Sequence, residues 1–308
     1  MTSRVAPLLA VLALGCSPKR MVVNLMADAL AGSADAFADD DDPELIQAAL
    51  PFALKTVEAL LREAPEDRDL LLSAASGYVQ YAWAFVQDEA DRIDATDRAR
   101  ARVLRARAQR LYLRGRNYAF RGLEVAHPGF TAELARASET ALARAGRDDV
   151  PFLYWAGASW AGAFTASASD LELLADLPTA AACMERVLQL DEGYSRGAAH
   201  EFFVSYHGAR PEAMGGGAGK AREHYQRALT LSGGLRGSLH LALAETVAVR
   251  EQDLASFRRL LELALAVDPD RDPALRLANH IARRRAEWLK TRIPDLFVEG
   301  TGEEAEKR

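Results

Sequence analysis

From about residue 21 onward, apolar positions recur three and four apart in one segment after another, and sustained alternation is hard to find beyond short ambiguous runs. A period near 3.6 predicts helices, whereas strands need a period of 2. A first helix is expected over Val22–Ala31, ended by Gly32. Asp42 before Pro43 is a strong start for a second, because a capping carboxylate and a proline at the first helical position both suit an N-terminus. That helix, 44–63, carries Leu54, Val57, Leu60 and Leu61 on one face and stops at Pro65. The next is expected over 70–90, with Leu71, Ala74, Ala75, Tyr78 and Ala82 at helical spacing. Thr96 or Asp97 can cap a long arginine-rich helix running to about Val125. A helix over 131–145 follows the turn His127-Pro128-Gly129. After the break at 146–151 comes 152–168, in which Tyr154, Trp155, Trp160 and Phe164 alternate with Gly157, Ala158, Gly162 and Ala163. Pro178 is expected to open a helix over 179–190, and a glycine-rich loop to enter another over 220–231.

Three of these segments look alike. Met184–Asp191, Tyr225–Ser232 and Leu261–Asp268 each end in an aliphatic run, and Ala53–Pro65 is a looser copy. Val187 to Ala228 spans 41 residues and Ala228 to Ala264 spans 36, so the repeat is irregular. Such segments resemble the second helix of a tetratricopeptide repeat, whose apolar stripe must be covered by the next unit. The expected fold is all-α, an irregular tetratricopeptide-like helical-repeat array, or α-solenoid, over residues 21–295. Residues 296–308 read as a charged tail expected to be disordered.

The beginning of the chain carries a different signal. Arg4 precedes an apolar run, Val5–Leu14, long enough for a signal peptide and too short to span a bilayer. Leu12-Ala13-Leu14-Gly15-Cys16 then resembles a lipobox, with Ala13 where leucine is commonest. The expectation is a lipoprotein signal peptide over 1–15, cleavage before Cys16, lipidation of Cys16, and a short tether over 16–20. A diacyl or triacyl cysteine supplies the two or more chains that stable anchoring needs. Residue 17 is serine, a pattern usually sent to the outer membrane.

Composition narrows the rest. Charged residues make up 27% of the chain and the formal net charge is -6, which argues against nucleic-acid binding. Two cysteines, Cys16 and Cys183, exclude a disulfide framework; Cys183 sits in an apolar helical stretch and reads as a buried structural thiol. The arginines between Arg98 and Arg116 follow no single stripe. They fit a solvated helix surface or, as the sharper alternative, a receptor for an anionic patch on a partner or a lipid head group. Gly215–Lys220 is one residue too short for a phosphate loop and has no serine or threonine after the lysine. His200-Glu201 would need a second histidine at Val204 to be a zinc-protease pattern. His200 and His207 could share a face, but no third ligand is spaced to join them. No cofactor, metal or catalytic constellation is expected, and an enzyme is not.

Glu201-Phe202-Phe203-Val204-Ser205-Tyr206-His207-Gly208-Ala209-Arg210-Pro211-Glu212-Ala213-Met214-Gly215-Gly216, followed by Lys220–Tyr225, resembles the T-component family of tripartite ATP-independent periplasmic (TRAP) transporters, often called TatT. Asp268-Pro269, Leu275–Asn279, Arg283–Leu289, Asp40–Leu45 and Leu50–Lys55 extend the likeness to roughly residues 20–295. The resemblance implies a periplasmic lipoprotein that associates with the system's solute-binding protein. It implies passage of an apolar or organic-acid ligand, and a homo-oligomer such as a trimer. Tyr154, Trp155, Trp160 and Tyr206 are the candidates for a ligand passage or partner groove, with Arg210 placed to meet a carboxylate. The same aromatics would also serve as core. A general cell-envelope assembly scaffold is the alternative function.

Overall fold

A computed structural model describes residues 37–167 and 169–298; within them every regular element is helical. The expected signal peptide, Cys16, the tether, the helix over 22–31 and the tail after 298 lie outside the described residues. α1 spans Pro43–Glu63. α2, Arg68–Tyr81, continues through a π-helical stretch, Ala82–Gln87, into Asp88–Ile93. α3 is the long helix Arg98–Ala126, and two short helices follow, α4 (Phe130–Arg136) and α5 (Ser138–Arg144). α6 (Val150–Ala166), α7 (Leu171–Asp191) and α8 (Ala198–Gly208) lead to α9 (Ala218–Ser232). α10, Gly237–Leu243, also passes into a π stretch, Ala244–Ala248. α11 (Leu254–Ala266), α12 (Arg276–Thr291) and the short α13 (Ile293–Leu296) complete the described residues.

Aspartates start the helices. Asp42, Asp67, Asp97 and Asp253 each accept a hydrogen bond from the backbone N–H three residues on, at 2.9–3.0 Å. A cap of this kind is worth about 1 kcal/mol. Asp170 accepts from Glu172 and Leu173, and that cap moves one boundary. The helix expected to begin at Thr179 starts instead at Leu171 and runs through Pro178. The proline removes one helical donor, but the capped turn before it and the burial of Leu173, Ala180, Cys183, Met184 and Val187 beyond it keep the helix continuous. The single helix expected over 131–145 is two, because Ala137 leaves helical geometry at φ -151, ψ 73. Arg144 then pairs with Glu133 across the break at 2.6 Å.

Two apolar cores result. The larger joins α1–α3 with α6 and α7, the smaller joins α9–α12, and α8 serves both: Phe203 faces the first and Val204 the second. α6 is the centre of the larger core, packed on α2, α3 and α7. Its glycines explain how it fits. A Cβ at Gly162 would lie 2.4 Å from the Tyr112 ring, and one at Gly157 would lie 3.0 Å from the Ala180 carbonyl. Tyr112 is 1% exposed and its hydroxyl donates to Gln87 at 2.7 Å, so it cannot yield. The small residues of α6 thus permit close helix contact. Cys183 is fully buried beside this core, and burial pushes its thiol up to about 12. Phe297, beyond the boundary expected at 295, packs on Phe257 at 5.0 Å between ring centres and is 7% exposed.

α12 meets α1 and the extension of α2, which an extended stack of repeats would not bring about. Arg285 of α12 contacts Glu245 at 2.6 Å, Asp88 at 3.2 Å and Asp91 at 3.4 Å. Arg284 pairs with Glu44 at 2.6 Å, and Arg276 donates to the Asp39 carbonyl at 2.8 Å. Arg285 is 15% exposed; burial works against its charge, but the facing carboxylates outweigh that and raise its pKa.

Two outcomes are expected from thermal or denaturant unfolding. Gly162→Ala overpacks the α3–α6 contact and costs about 1–3 kcal/mol. Arg285→Met leaves Glu245 without its partner and Asp88 and Asp91 with one cation each, and costs about 3 kcal/mol, while Arg285→Met combined with Asp91→Asn recovers part of the loss.

Candidate binding site

The five candidate side chains fall into three neighbourhoods. Tyr154 and Trp155 are adjacent on α6, half-buried, with ring centres 5.0 Å apart, and Tyr194 joins Tyr154 at 5.3 Å. Trp160 stands apart and is 8% exposed: Phe120 packs edge-on at 5.2 Å, Arg116 lies over its ring at 5.2 Å, and its indole donates to Asp176 at 3.0 Å. Its surroundings are those of a satisfied core residue. Tyr206 stacks on Phe202 at 5.6 Å. Arg210 lies over the Tyr206 ring at 4.5 Å and donates to the Met214 carbonyl at 2.6 Å, so its guanidinium is engaged in holding the loop after α8.

The Tyr154–Trp155–Tyr194 group has partners the sequence reading missed. Burial pushes the Tyr154 hydroxyl up to about 12, opposed by the positive field of Arg236 and reinforced by Glu201. Arg236, just before α10, pairs with Glu201 of α8 at 2.7 Å, with both side chains less than a fifth exposed at 14% and 17%. Arg236 also donates to the Ser195 carbonyl at 3.0 Å. That contact clamps an unusual turn. Ser195, Arg196 and Gly197 are consecutive left-handed residues, at φ 44, 58 and 83. Only glycine adopts this region without strain, and each of the other two costs about 1 kcal/mol or more. Arg196 is tied down by Asp272 at 2.6 Å. Strain held by two ion pairs, next to half-buried aromatic rings, makes this turn the candidate site. The available signal was Gly193-Tyr194-Ser195-Arg196-Gly197, an aromatic in a turn bracketed by glycines.

A second cluster lies between α8 and α9. His200 Nε2 is 3.1 Å from Glu192, which Arg227 holds from the other side at 2.7 Å. His200 Nδ1 is 2.8 Å from His224 Nδ1. If Nε2 of His200 carries the proton for Glu192, its Nδ1 accepts and His224 donates. His207 joins by stacking, 5.4 Å from His224. Burial first, then the fields of His200 and His207, hold His224 down to about 4. Burial lowers His200 and His207 as well. Among the described residues, no group of three or more His, Cys, Asp or Glu side chains is placed to hold a metal ion. Lys220, which invited a phosphate-loop reading, donates to the Gly215 carbonyl at 3.0 Å and so closes its own loop.

Two measurements follow. Replacing Ser195 by glycine relieves the strained turn, and its thermal stability should rise by about 0.5–1 kcal/mol, whereas Arg236→Ala should lower it. His224 is neutral when folded and titrates near 6.5 when unfolded. The stability it contributes is present above pH about 6.5 and is lost as pH falls towards 4. Equilibrium unfolding across that window should show the decline, and His224→Phe should flatten it. Glu192, held down to about 2 by Arg227, loses its contribution lower, below the ordinary carboxylate value of 4.5.

A protein of Treponema pallidum (strain Nichols), described as an uncharacterized protein, is 32% identical over 303 residues, covering 92% of this chain and 94% of that one. The family described as TRAP transporter T-component matches residues 39–297, which takes in α1 to α13 and both cores, and the chain belongs to that family.

Proposed function

We propose that this chain is a periplasmic, lipid-anchored binding and scaffold component of a TRAP-type solute transport system. In this reading it docks the system's solute-binding protein and passes a small apolar or organic-acid ligand. Membership of the T-component family carries the reading, since it fixes the kind of system in which the chain works. The group formed by Tyr154, Trp155 and Tyr194 supports it. Half-buried rings give large contact area at small entropic cost, and the Arg236–Glu201 pair beside them offers a fixed charge to a polar end. Acylation at Cys16 would place the body beside its membrane, with the outer membrane as the destination and a trimer as the working assembly. No proton-transfer or nucleophilic chemistry is assigned to these side chains.

Crosslinking of the acylated protein in its native envelope, followed by affinity capture and mass spectrometry, tests the proposal. A periplasmic solute-binding protein should be recovered, and Trp155→Ala should reduce its yield while leaving the thermal midpoint nearly unchanged. Recovery of envelope-assembly machinery with no solute-binding protein would overturn the transport reading. A large drop in midpoint for Trp155→Ala would return Trp155 to the core.

A further inference from the structure

α1 carries apolar side chains on two opposite sides. Ile46, Leu54, Val57 and Leu61 are buried and belong to the larger core. At about 100° per residue, Leu45, Ala48, Phe52, Thr56 and Ala59 fall on the far side of the helix. Leu45 is 55% exposed and Phe52 78%, and Ala48 and Ala59 are exposed with them. Thr56, the one polar member of this stripe, turns its hydroxyl back onto the Phe52 carbonyl at 3.0 Å. The exposed charges Glu44, Lys55 and Arg62 keep to one flank of it. Glu44 is held by Arg284 at 2.6 Å and Lys55 by Glu58 at 2.5 Å.

An outer helix face in a folded domain is ordinarily polar, and the end of a helical array needs a polar face to stay soluble. The outer stripe of α1 is therefore no finished end. α1 also overlaps Ala53–Pro65, one of the segments that resemble the second helix of a tetratricopeptide repeat. That helix packs on the first helix of its own repeat, which lies just before it in the chain. Residues 22–31 hold a matching pattern. Val22, Leu25, Met26 and Ala29 share one side at helical spacing, with Asn24 and Asp28 opposite. A helix over 22–31 would be about 15 Å long, close to the roughly 17 Å from Leu45 to Thr56 on α1.

We infer that residues 22–31 lie antiparallel along the outer side of α1 and cover Leu45, Ala48 and Phe52 with Val22, Leu25, Met26 and Ala29. The chain between them is placed for this. Phe37 packs against the larger core, and the Asp39 carbonyl accepts from Arg276 of α12. Gly32 can therefore stand no more than about 17 Å from Phe37. Neighbouring antiparallel helices are joined by about 2–8 residues, and 32–42 is longer than that requires. A connection this short keeps the segment at an effective concentration on the order of millimolar, so it reaches the stripe ahead of a second copy or a partner. Once docked, it makes residues 17–21 the whole tether between Cys16 and the folded body. The inference does not rest on the transport reading.

Maleimide labelling of Phe52→Cys, in the full chain carrying Cys16→Ser, tests this. Cys183 is fully buried, so the introduced thiol is the accessible one and the native thiol reports on the core. Arg258→Cys, at an exposed position on α11, sets the open rate. Phe52→Cys should label at least about tenfold more slowly than that reference, as a thiol does that reacts only when its cover opens. Dilution should not change the ratio. Deletion of residues 22–31, or Leu25→Asp with Met26→Asp, should bring the rate up to the reference while Cys183 stays unreactive. Labelling of Phe52→Cys at the reference rate in the full chain would show the stripe bare and overturn the inference. Protection that fades on dilution would assign the stripe to a second copy, and protection that survives the deletion would assign it to another part of the chain; either result overturns it.

Discussion

Arg285 is shared by Glu245, Asp88 and Asp91, and the overall arrangement of helices depends on that sharing. Helices that pack only on their sequence neighbours can bend and twist as a chain does. This one is tied between α12 and α2 across nearly two hundred residues, at positions 285 and 88. Arg92 and Arg105 complete the network by pairing with Asp88 and Asp91 at 2.6 and 3.3 Å. Arg105 also reaches Asp94 at 2.9 Å, so three guanidiniums stand among four carboxylates at a partly exposed junction. Asp91 nevertheless has a raised pKa, because its burial outweighs the attraction of Arg285 and Arg105. Such a network contributes little net energy over an apolar contact, but it is strict about geometry, since loss of any one member leaves an uncompensated buried charge. Trp288, with Arg285 and Arg92 over its ring at 5.3 and 5.5 Å, adds an aromatic face to the same junction.

With α12 tied to α1 and α2, the two apolar cores meet along α8, and the candidate binding site lies at that seam. Phe203 and Val204 are neighbours in sequence and belong to different cores. Glu201 on the same helix reaches Arg236 before α10, and Arg236 reaches back to the strained turn that presents Tyr194. Strain of this kind persists only where the surroundings overdetermine it. Here they do so through Arg236 and through Asp272, which holds Arg196.

Much of this was legible in the sequence. Capping aspartates, prolines at first helical positions and the apolar period located α1, α3, α6 and α9 to within a few residues, because these signals act locally. The likeness around Tyr206–Gly216 identified the family. The sequence reading failed where a distant contact overrides a local signal. Pro178 is a helix breaker by rule, but Asp170 starts the helix ahead of it. Ala137 breaks a helix that its composition favours. Tyr154 and Trp155 were singled out as aromatics among small residues and do come together. Trp160, chosen by the same pattern, does not, because nothing in its own helix announces Phe120 and Asp176. Arg236 and Glu201 were invisible for the same reason: thirty-five residues separate two partners whose pairing is decided by how α8 packs against α10.

The π stretches of α2 and α10 carry a consequence for how the sequence can change length. Each accommodates one more residue than an α-helical turn of the same path would hold. Asp88 follows the first directly, and Glu245 lies within the second. Deleting one residue from either stretch would return that helix to regular geometry over the same path, so the side chains beyond it, Asp88 and Asp91 among them after the first stretch, would keep their register. Deletions are usually thought dangerous in cores and harmless in loops; in this molecule two mid-helix stretches can each give up a residue without turning the helix beyond them.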